Sequence, residues 1–181
     1  MVSIKRVSSA EIYANPWLSL REDKIVRSDG STGIYSVVDK PEGVIVIPRE
    51  DGRLYLVEQF RYAVDARRWE FPAGTAPDRQ VVPARALAVR ELAEETGLRA
   101  ESLTRIGTVD VAPGFSSQRQ AVFLAEDLQA GTAQREHEEQ DMDARWWPVT
   151  EVWAAVGSGA ICDAQTLAAL TLLSAYDTTQ N

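Results

Sequence analysis

Glu91, Glu94 and Glu95 stand at i, i+3 and i+4 in the stretch RELAEETGL, residues 90–98. On a helix these positions are neighbours, and like charges there repel. At about 100° per residue, Ala84, Leu87, Ala88, Glu91, Leu92, Glu95 and Leu98 fall within about 80° of one direction. Glu91 and Glu95 therefore share the apolar stripe expected to pack inward, and Glu94 sits at its edge. A solvated charged face is the ordinary reading of a lone Glu-Glu pair. The apolar stripe argues against it, because carboxylates carried inward are expensive to desolvate. Two remedies exist: their pKa values rise until they are neutral, or a divalent cation holds them ionised. Oxygen-only ligands suit a hard ion, Mg²⁺ or Mn²⁺, which keeps several waters and also binds phosphates. Arg90, four residues before Glu94, is placed to orient that carboxylate.

The elements that must position these groups can be read from periodicity and turn chemistry. Pro83 suits a first helical turn and Gly97 a helix end, which predicts a helix from Pro83 to Thr96. WLSLREDKIV and IYSVVD flank the turn SDGSTG, a hairpin pattern. GVIVIP and LYLVEQF flank Asp51-Gly52, a stronger one. RRWEFPAGT is a short strand broken by Pro72 and Gly74. LTRIGTVDV, RQAVFLAEDL and ARWWPV read as strands, with one of Trp146 and Trp147 buried, and Trp17 reads as a core residue. VTEVWAAVGSG and DAQTLAALTLLSAY carry helical periodicity. Many strands, few helices and no regular β-α-β alternation give a mixed α+β class.

Bulk composition bounds the function. The 181 residues are 45% hydrophobic and 25% charged, the profile of one soluble globular domain. A net charge of −8 argues against a nucleic-acid backbone or an anionic membrane as main partner. Phosphates remain accessible to such a protein where a metal ion reverses the local sign. Cys162 is the single cysteine, so no intrachain disulfide forms and a reducing, cytoplasmic setting is expected. Neither a signal peptide nor a membrane anchor is expected from the N-terminal residues, which lack a continuous apolar core.

The segment Arg90, Glu91, Leu92, Glu94, Glu95, Gly97, Leu98 resembles the second half of the Nudix hydrolase box, Arg-Glu-apolar-x-Glu-Glu-x-Gly-apolar. Average residue frequencies would give that match in about one of 10⁵ chains of this length. The first half departs from the box: Gly74 stands 16 residues before Arg90 where 14 are expected, and Val82 occupies the position of the first glutamate. VEQFRYAVDARRWEFPAG, APGFSSQ with Pro113 and GAICDAQTLAAL are similar to the ADP-ribose pyrophosphatase branch of that family. The likeness covers roughly residues 10–175. It implies an α/β/α sandwich with a mixed central sheet flanked by helices, residues 43–181. An N-terminal antiparallel β-region over residues 1–42, through which this branch dimerises, would precede it.

Carried over residue by residue, the likeness implies Glu91 and Glu95 as metal ligands, followed by Glu94 and the Ala73 carbonyl. It implies Arg61, Glu70, Gly74, Pro113 and Trp17 toward the substrate. Trp17 has stacking on a base as an alternative to its core role. A planar guanidinium suits Arg61 to a phosphate, and its plainer reading is a surface salt bridge. The attacking water needs a base, which the family takes from an acidic loop. That places Glu138 in the role, with Glu139 able to substitute, Gln140 where a second carboxylate is common, and His137 nearby. The implied reaction is metal-assisted hydrolysis of the diphosphate of a nucleotide sugar, ADP-ribose first. GDP-mannose or another nucleotide sugar is the nearer rival. A non-catalytic nucleotide sensor is the farther one, which the intact glutamates and acidic chain disfavour.

Overall fold

The run GVIVIP dictates the centre of the molecule. It forms β4 (Gly43–Glu50), whose Val44 and Val46 enter one core cluster while Ile45 and Ile47 enter the other. A strand apolar on both faces requires a layer on each side. The computed structural model describes residues 4–135 and 141–180. There β9 (Arg119–Gln129) runs parallel to β4, while β5 (Arg53–Arg61) and β7 (Ala73–Thr75) pair with it antiparallel. β8 (Arg99–Asp110) extends the sheet beyond β9, and β6 (Ala66–Glu70) and β10 (Asp143–Pro148) pair with β5. The result is a seven-stranded mixed sheet with the path β10-β5-β4-β9-β8.

Helix α1 (Ala84–Thr96) covers the Val44/Val46 face through Leu87, Ala88 and Leu92. Helices α2 (Val149–Ser158) and α3 (Ala164–Gln180) cover the opposite face through Val152, Leu170 and Leu173. The three-layer α/β/α arrangement anticipated from the sequence is present. Leu92 is 1% exposed at the centre of the α1 layer. Truncation there leaves a cavity, so Leu92→Ala should lower unfolding free energy by about 3 kcal/mol in urea titration.

Local chemistry sets the strand ends. Asp51 and Gly52 both adopt left-handed backbone, φ 49° and 70°, as a two-residue hairpin turn demands. Pro72 has no N–H to continue a ladder, so β6 ends at Glu70. The Pro72 carbonyl still accepts from Val46 N at 2.8 Å, and β7 resumes beside β4. This break carries β6 and β7 along different neighbours and opens the space between them.

A second, three-stranded antiparallel sheet holds β1 (Lys5–Ala14), β2 (Ser19–Val26) and β3 (Thr32–Asp39), in that order. It joins the main body where the β8–β9 loop docks on β3. Val38 N donates to Phe115 O at 2.8 Å and Ser117 N to Val38 O at 3.1 Å.

Two expectations about tryptophan need correction. Trp17 is 61% exposed, not in the core: it lies in the β1–β2 connection, where its backbone N–H donates to Asn15 Oδ1. Neither Trp146 nor Trp147 is fully buried. They project to opposite faces of the peripheral strand β10. Trp146 packs edge-on to Tyr55 and Trp147 edge-on to Trp69, each with ring centroids 5.0 Å apart. Arg53 lies over the first ring and Arg145 over the second.

Candidate functional site

Helix α1 brings its acidic residues where the helical wheel puts them. Glu95 is 1% and Glu91 7% exposed, alongside buried Leu87, Ala88 and Leu92. Glu94 is half-buried. Gly97 ends the helix with φ 74°, its N–H donating to Ala93 O. Arg90 is shared: Nη2 donates to Glu91 Oε1 at 2.9 Å, and Nε lies 3.4 Å from Glu94 Oε2. The expected orientation of Glu94 by Arg90 is therefore present, and the same guanidinium also holds Glu91.

Both buried carboxylates press on β7. Ala73 N–H donates to Glu95 Oε1 at 3.3 Å. Gly74 lies against Glu91 so closely that a Cβ there would stand 2.3 Å from Oε2. Absence of a side chain at 74 is what lets this carboxylate reach the strand. Ala73 is thus brought to the carboxylates through its N–H.

On its other side β7 lines a cleft of about 540 Å³, together with Arg61, Arg68, Glu70, Lys40, Gln118, Gln120 and the start of α3. Glu91 and Glu95 do not line this cleft themselves; they abut the strand that does. Arg61 and Glu70 form a two-pronged pair, with Arg61 Nε at 2.9 and 3.1 Å from the Glu70 oxygens. Glu70 is buried, whereas the Arg61 side chain remains 44% exposed and faces the cleft. Burial pulls Arg61 downward, but hydrogen bonding to Glu70 and the charges of Glu70, Glu95 and Asp163 leave its pKa above the ordinary arginine value. Lys40 moves the other way, lowered by burial and by the positive charge of Arg61. The salt-bridge reading of Arg61 and its cleft role are compatible, because one guanidinium has donors for both.

The start of α3 is fixed on the far wall. Asp163 Oδ2 accepts from Thr166 N at 2.8 Å, an N-cap bond. Thr166 Oγ1 accepts from Phe71 N at 3.3 Å, which ties the helix to the β6–β7 link. The acidic segment is anchored near the carboxylates as well. Gln134 N donates to Glu94 O at 2.9 Å, and Arg135 donates to Glu95 O at 3.1 Å and to Met142 O. Glu138 and Glu139, together with His137 and Gln140, lie outside the described residues.

The departures from the box have local explanations. The extra residues between Gly74 and Arg90 occupy a turn in which Asp78 and Arg79 take left-handed backbone, φ 52° and 55°. Val82, in place of a glutamate, packs against the α1-side core. Pro113 is exposed in the β8–β9 loop, and neither Pro113 nor Trp17 lines the cleft. Lys40, Arg68, Asp163, Gln118 and Gln120 were not singled out from sequence. Only Gln120 left a signal, a polar residue where a buried apolar strand begins.

A divalent cation fits the donor chemistry here: two buried oxygen-donor carboxylates on successive turns, beside a backbone strand and a cationic cleft. Among the described residues no group of three or more His, Cys, Asp or Glu converges on one point. These residues thus offer two carboxylates, with Glu94 turned toward Arg90. None of the described helices is long and apolar enough to cross a membrane.

Comparison with known proteins agrees with this architecture. Residues 39–170 match the NUDIX domain, and residues 4–38 match the nucleoside diphosphate sugar hydrolase N-terminal domain. The chain is 32% identical to an ADP-ribose pyrophosphatase of Mycobacterium tuberculosis, over 95% of this chain and 84% of the relative. It is 28% identical to an ADP-ribose pyrophosphatase of Bacillus subtilis, over 97% and 95%. A crystal structure of an ADP compounds hydrolase superposes with a TM-score of 0.85 at 20% identity, covering 98% of this chain and 96% of that one, which shows a shared fold. With its box helix, its mixed sheet and a domain match over most of its length, the chain belongs to the NUDIX family.

Proposed function

We propose that this protein hydrolyses the diphosphate bond of a nucleoside diphosphate sugar, with ADP-ribose yielding AMP and ribose 5-phosphate. One observation carries the reading: buried Glu91 and Glu95 abut the strand that lines a cleft where Arg61 and Arg68 present positive charge. The names of two relatives that span nearly the whole chain support the choice of ADP-ribose.

Bound Mg²⁺, or Mn²⁺ in its place, would neutralise phosphate charge and lower the pKa of a coordinated water. Glu91 and Glu95 would hold it, with Glu94 and the Ala73 carbonyl as further oxygen donors. Arg90 holds Glu91 and Glu94 in orientation. Arg61 holds a phosphate oxygen by one edge of its fork while Glu70 fixes the other. Glu138, or Glu139, takes a proton from the attacking water. The water oxygen bonds to phosphorus as the bridging P–O bond breaks, and the departing phosphate keeps the electron pair. Anchoring of residues 134 and 135 on the end of α1 supports a base from this segment.

A homodimer belongs to the same proposal. β1 is an outer strand with every residue exposed, and Val7, Ile12, Tyr13 and Ile34 on that sheet, with Trp17 in the β1–β2 connection, leave apolar surface uncovered. Exposed apolar strands at a sheet edge call for a covering partner. Trp17 and Pro113 would then serve substrate from the dimer. The solution mass by light scattering should be about twice the 20.0 kDa chain, and Ile12→Asp should halve it. A cytoplasmic setting completes the reading.

The deciding experiment follows phosphate release, coupled to a phosphatase, from ADP-ribose, GDP-mannose and NADH with Mg²⁺. Fastest turnover of ADP-ribose upholds the reading, and preference for GDP-mannose changes the sugar. ADP-ribose binding without turnover of any substrate would point to a sensor.

A further inference from the structure

Gln120 breaks the pattern of its strand. In β9 the side chains of Val122 and Leu124 enter the core beneath α2 and α3, and Gln120 has the same parity at the strand's beginning. An apolar residue would fit there. Instead an amide 5% exposed stands in the cleft lining, and its Oε1 has no hydrogen-bond partner among the described residues. A buried acceptor left unbonded costs stability, so its retention calls for a donor that arrives from elsewhere.

The surroundings narrow the chemistry of that donor. Gly43 pairs with Gln120 in register, and a Cβ at 43 would meet Gln120 Cγ at 3.1 Å and Gly74 O at 2.7 Å. The glycine therefore keeps the amide stem beside β7, the strand on which Glu91 and Glu95 press. Among the described residues the cleft lining contains no aromatic side chain, so these residues offer no ring on which a base would stack. What it does contain, beside the cations, is neutral and acidic polar groups: Gln118, Gln120, Gln165, Thr75 and Asp163. Such a set matches hydroxyls, which donate and accept, and the chemistry of a sugar.

We propose that Gln120 is a specificity-determining residue whose Oε1 accepts a hydrogen bond from a hydroxyl of the sugar on the non-nucleoside side of the diphosphate. The proposal rests on the reading of this cleft as the diphosphate site and deepens it. The amide tells a sugar ester from a plain ester of the same diphosphate.

Gln120→Met keeps the side-chain length and removes the polar atoms; Gln120→Leu is the second variant should Met pack badly. The readout is the ratio of kcat/KM for ADP-ribose to kcat/KM for the methyl ester of ADP, which lacks that sugar. The ratio should fall about tenfold in the variant, the worth of one hydrogen bond. The melting temperature should hold or rise, because an unsatisfied acceptor leaves the interior. An unchanged ratio overturns the proposal, and so does a lower melting temperature with equal loss on both substrates, which marks a structural amide. Should wild type hydrolyse neither compound, the choice of ADP-ribose as substrate falls by itself. Gln120 is then judged by calorimetric affinity for the same two compounds, a preserved ratio again overturning the proposal.

Discussion

Glu95→Gln should lower kcat on the preferred nucleotide sugar by about three powers of ten at saturating Mg²⁺, because a metal's charge stabilisation amounts to several kcal/mol. The substitution is conservative in shape. Glu95 is 1% exposed and its Oε1 accepts from Ala73 N–H, a bond an amide oxygen can also accept. What the change removes is charge. In the metal-free protein two carboxylates on successive turns of one buried stripe oppose each other, so losing one should hold or raise the melting temperature. Added Mg²⁺ should then stabilise wild type more than the variant, since a ligand stabilises only the state that binds it. The two readouts separate causes. Lost activity with a lost Mg²⁺-dependent melting shift identifies a ligand. Lost activity with the full shift would leave Glu95 a role in chemistry without metal binding. Activity within threefold of wild type would remove Glu95 from the site altogether.

How much of this was legible beforehand follows from the range of each physical signal. The carboxylate face of α1 was readable because helical period is local: one wheel over residues 84–98 sorts Glu91 and Glu95 inward, and the buried residues agree. The hairpin at Asp51-Gly52 was readable for the same reason, since left-handed backbone at both positions selects its own residues. β1 escaped notice as a separate strand. Register shifts between Arg6 and Ser8 and between Glu11 and Tyr13 break its alternation, so Ile12 falls on the opposite parity to Val7 and Tyr13. Trp17 was misread because aromatic content suggests burial, while its place is the exposed connection that leads from β1 to β2. The cleft was the least legible part. Lys40, Asp163 and Gln120 come from the β3–β4 link, the α3 cap and the head of β9, and only tertiary folding brings them together. Gln120 alone left a trace, as one polar residue opening the run QAVFLA. That trace had no meaning until its strand was known to be central.

Gly74→Ala should cost about a hundredfold in kcat/KM while leaving the fold nearly as stable as wild type. Gly74 is not among the residues with left-handed backbone, so alanine meets no conformational strain there and the effect is steric. Its Cβ would lie 2.3 Å from Glu91 Oε2 and 2.4 Å from Cδ, inside any allowed contact. The obstacle is the end of a flexible side chain, which can swing away at small cost to packing. A shift of about 1 Å in a ligand is enough to lose a hundredfold in rate. The neighbouring glycine supplies the control. At Gly43 a Cβ would meet the Gly74 carbonyl oxygen at 2.7 Å, and backbone cannot swing aside, so Gly43→Ala should chiefly lower the melting temperature. Urea unfolding and initial rates measured on both variants distinguish the two kinds of crowding. Full activity in Gly74→Ala would mean that the position of Glu91 against β7 does not matter to the reaction, and the metal role of Glu91 would fall with it.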